Sequence, residues 1–221
     1  MTRKTSAQLA GFMFLFYIAS ALPQMILFEQ ATSGADVAAK LASIAQHATI
    51  MRVAGLLSLV TIFDAILLGL GLWAITRDED RELATLAFCC RVSEGVISAV
   101  TTIAIVGLLW LAANPGNDAS ANTLGSFLLK LPGWGMSVSA TCFLVGSTIF
   151  SYLFVRARSI PAPLAWLGLL ASVILLVAVP LELVAVIRVP FLLWLPMLVF
   201  EVSLGFWLLI KGVAEPAADA S

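Results

Sequence analysis

Six apolar stretches, each about as long as a helix needs to cross a bilayer, decide what this chain can fold into. They run over Ala7–Phe28, Met51–Ile75, Leu83–Leu111, Gly133–Val155, Leu164–Ile187 and Pro190–Ile210. Hydrocarbon offers no water to satisfy backbone N–H and C=O groups, so spanning segments of this length must be helical. Composition agrees: 61% of residues are hydrophobic, 11% are charged, and the mean hydropathy is +1.05. A soluble domain carries about a quarter charged residues. The expected fold is all-α, a polytopic membrane helix bundle forming a single integral membrane domain over residues 1–221.

The breaks between spans are readable. "TRDEDRE" is a short charged turn, "ANPGNDASAN" a polar Pro/Gly loop, and "RARSIPAP" places Pro163 near a helix start. The link at "IRVP" is very short and predicts an antiparallel hairpin of spans five and six. Pro180 and Pro196 fall inside those spans, where each would free a carbonyl and kink the helix near Glu182 and Glu201. Between spans one and two, Val37, Leu41, Ile44, Ala48 and Met51 recur at steps of three and four, with Lys40, Ser43 and His47 off the stripe. That spacing predicts an outer amphipathic helix, either lying in the interface or capping the bundle.

Basic residues orient the spans. Arg3, Lys4, Arg77, Arg81, Arg156, Arg158 and Lys211 fall on one side, and Lys40, Arg52, Lys130 and Arg188 on the other. The first side is expected to be cytoplasmic, with both termini. "ASA" at Ala19–Ala21 also mimics a signal-peptidase site, and cleavage there would leave five spans.

Several function classes are disfavoured. A net charge of −1 offers nothing to nucleic acid. Cys89, Cys90 and Cys142 sit in apolar runs and make no disulfide framework. His47 is the only histidine, which excludes metal and haem sites built on two imidazoles. No cofactor and no metal is expected.

The segments "RKTSAQLAGFMFLFYIAS", "FDAILLGLGLWAITR", "AFCCRVSEGV", "APLAWLGLLAS" and "FEVSLGFWLLIKG" cover nearly the whole chain. Together they resemble a bacterial six-span family catalogued as domain of unknown function 4386. The resemblance implies six spans, a retained first span and a place in the bacterial cytoplasmic (inner) membrane. It implies no activity.

Five ionisable residues lie within the spans: Asp64, Arg91, Glu94, Glu201 and Glu182. Each costs ~2.5–3.5 kcal/mol at mid-membrane, so each should face protein or water. At 1.5 Å rise per residue, Asp64 and Glu94 lie roughly 20 Å from the cytoplasmic helix ends, and Arg91 and Glu201 roughly 15 Å. Glu182 lies nearer the outer face. Arg91, Glu94, Ser98 and Thr101 follow a three-four-three spacing and share one helix face. Polar stripes on span two (Thr61, Asp64), span four (Ser137, Thr141, Thr148, Ser151) and span one (Tyr17, Gln24) are expected to converge with it.

The candidate binding site is therefore Asp64, Arg91, Glu94, Glu201, Ser98 and Thr101. Two readings compete. Arg91 ties spans two, three and six through bidentate bonds to the carboxylates, or the cluster binds or moves a small solute, proton or cation. Three carboxylates against one arginine leave an excess of two negative charges, which calls for a proton or a cation. An accessory subunit with a membrane-protein partner is the alternative class, and an intramembrane enzyme a further one. Without a histidine base or an accompanying motif, the enzyme reading is the weakest. Expected partners are the lipid bilayer and a small solute, proton or lipid, with no nucleic acid.

Overall fold

The computed structural model describes residues 2–114 and 119–214. They form α1 (Arg3–Ala31), α2 (Val37–Gln46), α3 (Ala48–Thr76), α4 (Arg81–Ala113), α5 (Ala119–Ala157), α6 (Ala162–Leu183), a 3₁₀ turn (Phe191–Trp194) and α7 (Leu195–Ile210), with no strand among the described residues. Five of these helices, all but α2 and α7, are long and apolar enough to cross a membrane, and α7 becomes the sixth candidate together with the 3₁₀ turn before it, over Phe191–Ile210. Side-chain caps set several of the starts. Thr2 Oγ1 accepts from Thr5 N at 3.2 Å, Asp36 from Ala39 N at 2.8 Å, and Asp80 from Leu83 N at 3.1 Å. Each satisfies a first-turn N–H that has no partner inside its own helix.

The long helices close into a ring, in the order α1, α3, α4, α5, α6, α7 and back to α1. Glycines let the walls approach. A Cβ on Gly11 of α1 would lie 2.6 Å from the Gly205 carbonyl of α7, and one on Gly71 of α3 would lie 3.0 Å from Ala10 Cβ of α1. Small residues at crossings are how membrane helices gain packing without a hydrophobic drive between them. The outward surface keeps large apolar side chains exposed, among them Phe63, Ile103, Val106 and Val177. That is the surface a bilayer covers.

Several boundaries differ from the sequence expectation. Span four does not begin at Gly133. Helix α5 starts fourteen residues earlier and runs through Pro132. Its extension packs on α2, where a Cβ on Gly125 would meet Val37 and Leu41 side chains at 3.0 and 3.2 Å. The middle of the "ANPGNDASAN" loop lies outside the described residues. Span five ends at Leu183 rather than Ile187, and the connection to α7 is longer than a tight hairpin. Ala185 there takes a left-handed φ of 59°, and Glu182 accepts from Val189 N at 2.9 Å. Pro196 falls at the start of α7 instead of its interior, so it breaks no helical bond. Pro180 does lie inside α6. The amphipathic segment is two pieces: His47 ends α2 and begins α3, and Met51 belongs to α3. Helix α2 caps the bundle, with Ile44 fully buried.

Candidate functional site

Two apolar clusters fill the ring without merging. On α1 one holds Ala7, Ala10 and Phe14, and the other holds Ala31 with Leu27 and Phe28 packed against it. On α3 they take Leu68, Leu72 and Ile75 against Met51 and Ala54. On α4 they take Ala87 against Ile105 and Leu108. Between the two sets lie the polar residues Tyr17 and Ser20 on α1, Ser58 and Asp64 on α3, and Arg91, Glu94 and Ser98 on α4. Their positions along the helices are those at which the residue count put the ionisable groups.

Arg91 is fixed by packing as well as by charge. It is among the largest fully buried side chains in the structure. A Cβ on Gly69 of α3 would lie 2.7 Å from Arg91 Cβ, and one on Gly146 of α5 would lie 3.6 Å from Arg91 Cδ. The two glycines let α3 and α5 close on the arginine stem from either side. Its guanidinium carbon then stands 5.0 Å from the centre of the Phe143 ring of α5 and 5.8 Å from the centre of the Tyr17 ring of α1. Both are within cation–π reach.

The ion pair is local. Arg91 Nη1 lies 2.8 Å from Glu94 Oε2, three residues on along the same helix. The approach is close but off the hydrogen-bond line, and Glu94 Oε2, Arg91 Nε and Arg91 Nη2 have no hydrogen-bond partner. The other Glu94 oxygen accepts from the Tyr17 hydroxyl at 3.1 Å. The expected bidentate ties from Arg91 to Asp64 or Glu201 do not form. Arg91 joins α1 and α5 instead, through the ring faces of Tyr17 and Phe143.

Asp64 is 2% exposed, and neither of its carboxylate oxygens has a hydrogen-bond partner. Glu201 on α7 is half-buried. Ser98 Oγ donates to the Glu94 carbonyl at 2.8 Å and meets Ser139 Oγ of α5 at 2.8 Å. Ser139 Oγ also lies 3.1 Å from that carbonyl and has one hydrogen, to give either to it or to Ser98 Oγ. Thr101 is half-buried and stands outside this network. Its neighbour Thr102 is the threonine that reaches across, to Ser58 of α3 at 2.8 Å. A helix drifts against a three-four-three reading over three turns, which moves the inward position from 101 to 102.

Of the hydroxyl stripe expected on span four, Ser151 is buried inside the bundle, whereas the other three are half-buried and bond to their own helix. Ser137 and Thr141 donate to carbonyls four residues back, Gly133 and Ser137. Thr148 does the same to Leu144. Glu182 serves the α6–α7 connection, apart from this layer. Sequence reasoning missed Ser139 and Phe143. Gly69 and Gly146 carried the only available signal, since glycines inside apolar helices mark close approach.

No curated protein and no solved structure matches the chain. Residues 9–212 match one family over most of the sequence, and the chain belongs to that family, described as Domain of unknown function (DUF4386).

Proposed function

We propose that this multi-pass membrane protein binds, and passes on, a proton or small cation at Asp64, with Arg91, Glu94, Glu201 and Ser98 completing the site and Thr101 at its edge. The observation that carries the reading is Asp64. A buried carboxylate with no donor on either oxygen bears an uncompensated charge, and such a charge costs several kcal/mol. The one cation of the layer is already matched by Glu94. A bound proton or a small cation supplies the missing charge. Glu201, half-buried on α7, is the next carboxylate in the same layer. In this reading the protein lies in a bacterial cytoplasmic membrane with both termini inside, as the seven basic residues on that side favour.

The test is infrared difference spectroscopy of the protein in nanodiscs, with sodium or potassium added at fixed pH or with pH stepped across about 5 to 9, a range that brackets a proton-binding carboxyl. A protonated carboxyl band that disappears in Asp64→Asn, or gives way to a carboxylate band on adding one cation, supports the proposal. No titrating band in the wild type and no cation response sinks it. A second reading has its own support. Arg91 is clamped between Gly69 and Gly146, the packing of a structural tie in an accessory subunit. That reading predicts a silent spectrum together with a strong loss of stability in Arg91→Ala.

A further inference from the structure

The ring is lower on one side. Its helices share one end, tied where Arg3 meets Asp78 at 3.8 Å, Arg156 meets Glu79 at 2.7 Å and Ala214 N donates to the Ser159 carbonyl at 3.0 Å. From that end α6, with 22 residues, rises about 33 Å, α3 with 29 about 43 Å and α5 with 39 about 58 Å. The 3₁₀ turn and α7 together rise about 32 Å. A hydrocarbon core is about 30 Å thick. The α6–α7 connection therefore ends at the level of the lipid headgroups, while α3 runs about 10 Å and α5 about 25 Å further. The apolar cluster of Ala31, Ile44, Met51 and Ile105 at this far end accordingly takes no residue from α6 or α7.

From Leu183 to Leu192 this low connection is apolar except for Arg188. Val184, Val186, Phe191 and Leu192 are each 65–72% exposed. An exposed apolar patch of this kind marks a membrane or ligand contact. The backbone closes on itself beneath it. Ala185, at a left-handed φ of 59°, donates to the Glu182 carbonyl at 2.9 Å, and Val186 N donates to the Leu181 carbonyl at 2.9 Å. Glu182 Oε1 accepts from Val189 N at 2.9 Å. The result is an open hollow of about 620 Å³, bordered by Glu182, Ala185, Val186, Ile187 and Arg188. Small-molecule sites occupy about 300–1,000 Å³. Its two polar borders carry opposite charges. Arg188 is exposed, and its side chain has no ion-pair or hydrogen-bond partner among the described residues. Glu182 spends one oxygen on the loop, and a carboxylate can accept more than one bond.

We propose that this hollow holds the headgroup of one aminophospholipid from the leaflet at this end, its phosphate on Arg188, its primary ammonium on Glu182, and its acyl chains against Val186, Phe191 and Leu192. A guanidinium matches phosphate with two parallel N–H donors. A primary ammonium has three donors for a carboxylate, whereas a trimethylammonium has none and a glycerol headgroup has no positive charge. Glu182 thus selects phosphatidylethanolamine over phosphatidylcholine and phosphatidylglycerol. The site stands apart from the charged layer and needs no proton or cation there.

The test is native mass spectrometry of the full chain, stripped of lipid in detergent and offered equal amounts of those three lipids. The wild type should retain one phosphatidylethanolamine, favoured about fivefold or more over either competitor. Arg188→Gln should lower its retention about tenfold or more. Glu182→Gln keeps an oxygen for Val189 N, so the loop holds, and phosphatidylethanolamine should fall to the level of phosphatidylcholine. No lipid retained by the wild type, or unchanged retention in Arg188→Gln, overturns the site. Equal retention of phosphatidylethanolamine and phosphatidylcholine by the wild type, or a preference that survives in Glu182→Gln, overturns the ammonium contact. Inorganic phosphate in large molar excess lacks the acyl chains and should leave the lipid in place; displacement by it overturns the assignment to a lipid. The three-lipid competition on the wild type decides headgroup choice even if a variant does not fold.

Discussion

Replacing Arg91 by alanine should unfold this protein more readily than any other single change in the charged layer. The side chain is 1% exposed and neutralises Glu94 from 2.8 Å. Its removal leaves three carboxylates with no cation among them. Breaking one partner of a buried pair costs ~3–5 kcal/mol. The contacts to the Phe143 and Tyr17 rings add about 0.5–2 kcal/mol each. The sum is about 4–9 kcal/mol, unless a proton taken up by Glu94 relieves part of it. Glu94→Gln should cost less, about 1–3 kcal/mol. Its amide oxygen still accepts from Tyr17, and Arg91 keeps both rings and the charges of Asp64 and Glu201. Reversible denaturation in mixed micelles measures both variants against the wild type. Arg91→Ala within about 1 kcal/mol of the wild type, or a larger loss in Glu94→Gln, would refute the claim that this arginine holds the layer together.

Three further changes test the packing and the connections. Gly69→Ala puts a methyl group 2.7 Å from Arg91 Cβ and should cost about 1–3 kcal/mol. Gly133→Ala on α5 meets nothing within 4 Å and should be neutral or stabilise by up to about 1 kcal/mol; equal effects at the two sites in the same denaturation assay would count against the glycine clamp. Tyr17→Phe removes the hydroxyl that Glu94 accepts at 3.1 Å. It should lower stability by about 1.5–3 kcal/mol, the range for hydrogen bonds to charged groups, and no loss would mean that the bond is not made in the membrane. Ala185→Gly relieves a left-handed φ of 59° and should raise thermal stability by about 0.5–1 kcal/mol; a lower melting temperature would contradict that geometry.

What the sequence determined by itself is the part governed by solvent. Backbone groups in hydrocarbon must pair within a helix, so six apolar stretches meant six helices, and the ends erred only where local chemistry allowed two answers. Pro132 looked like a boundary, but α5 runs through it from Ala119 to Ala157. Ser98 was legible from its spacing to Glu94, and it does bond across the α4–α5 seam. The shared depth of Asp64, Arg91 and Glu94 followed from counting residues, because helical rise converts sequence separation into distance along the membrane normal. Direction around the helix axis and the choice of partner did not follow. Arg91 could have paired with any of three carboxylates. The tertiary structure decided for Glu94, because Gly69 and Gly146 bring two helices against the arginine stem and set its head between two aromatic rings. That arrangement leaves Asp64 buried and unpartnered. Partner choice depends on which backbones approach within contact distance, a property of three helices at once that no single span encodes.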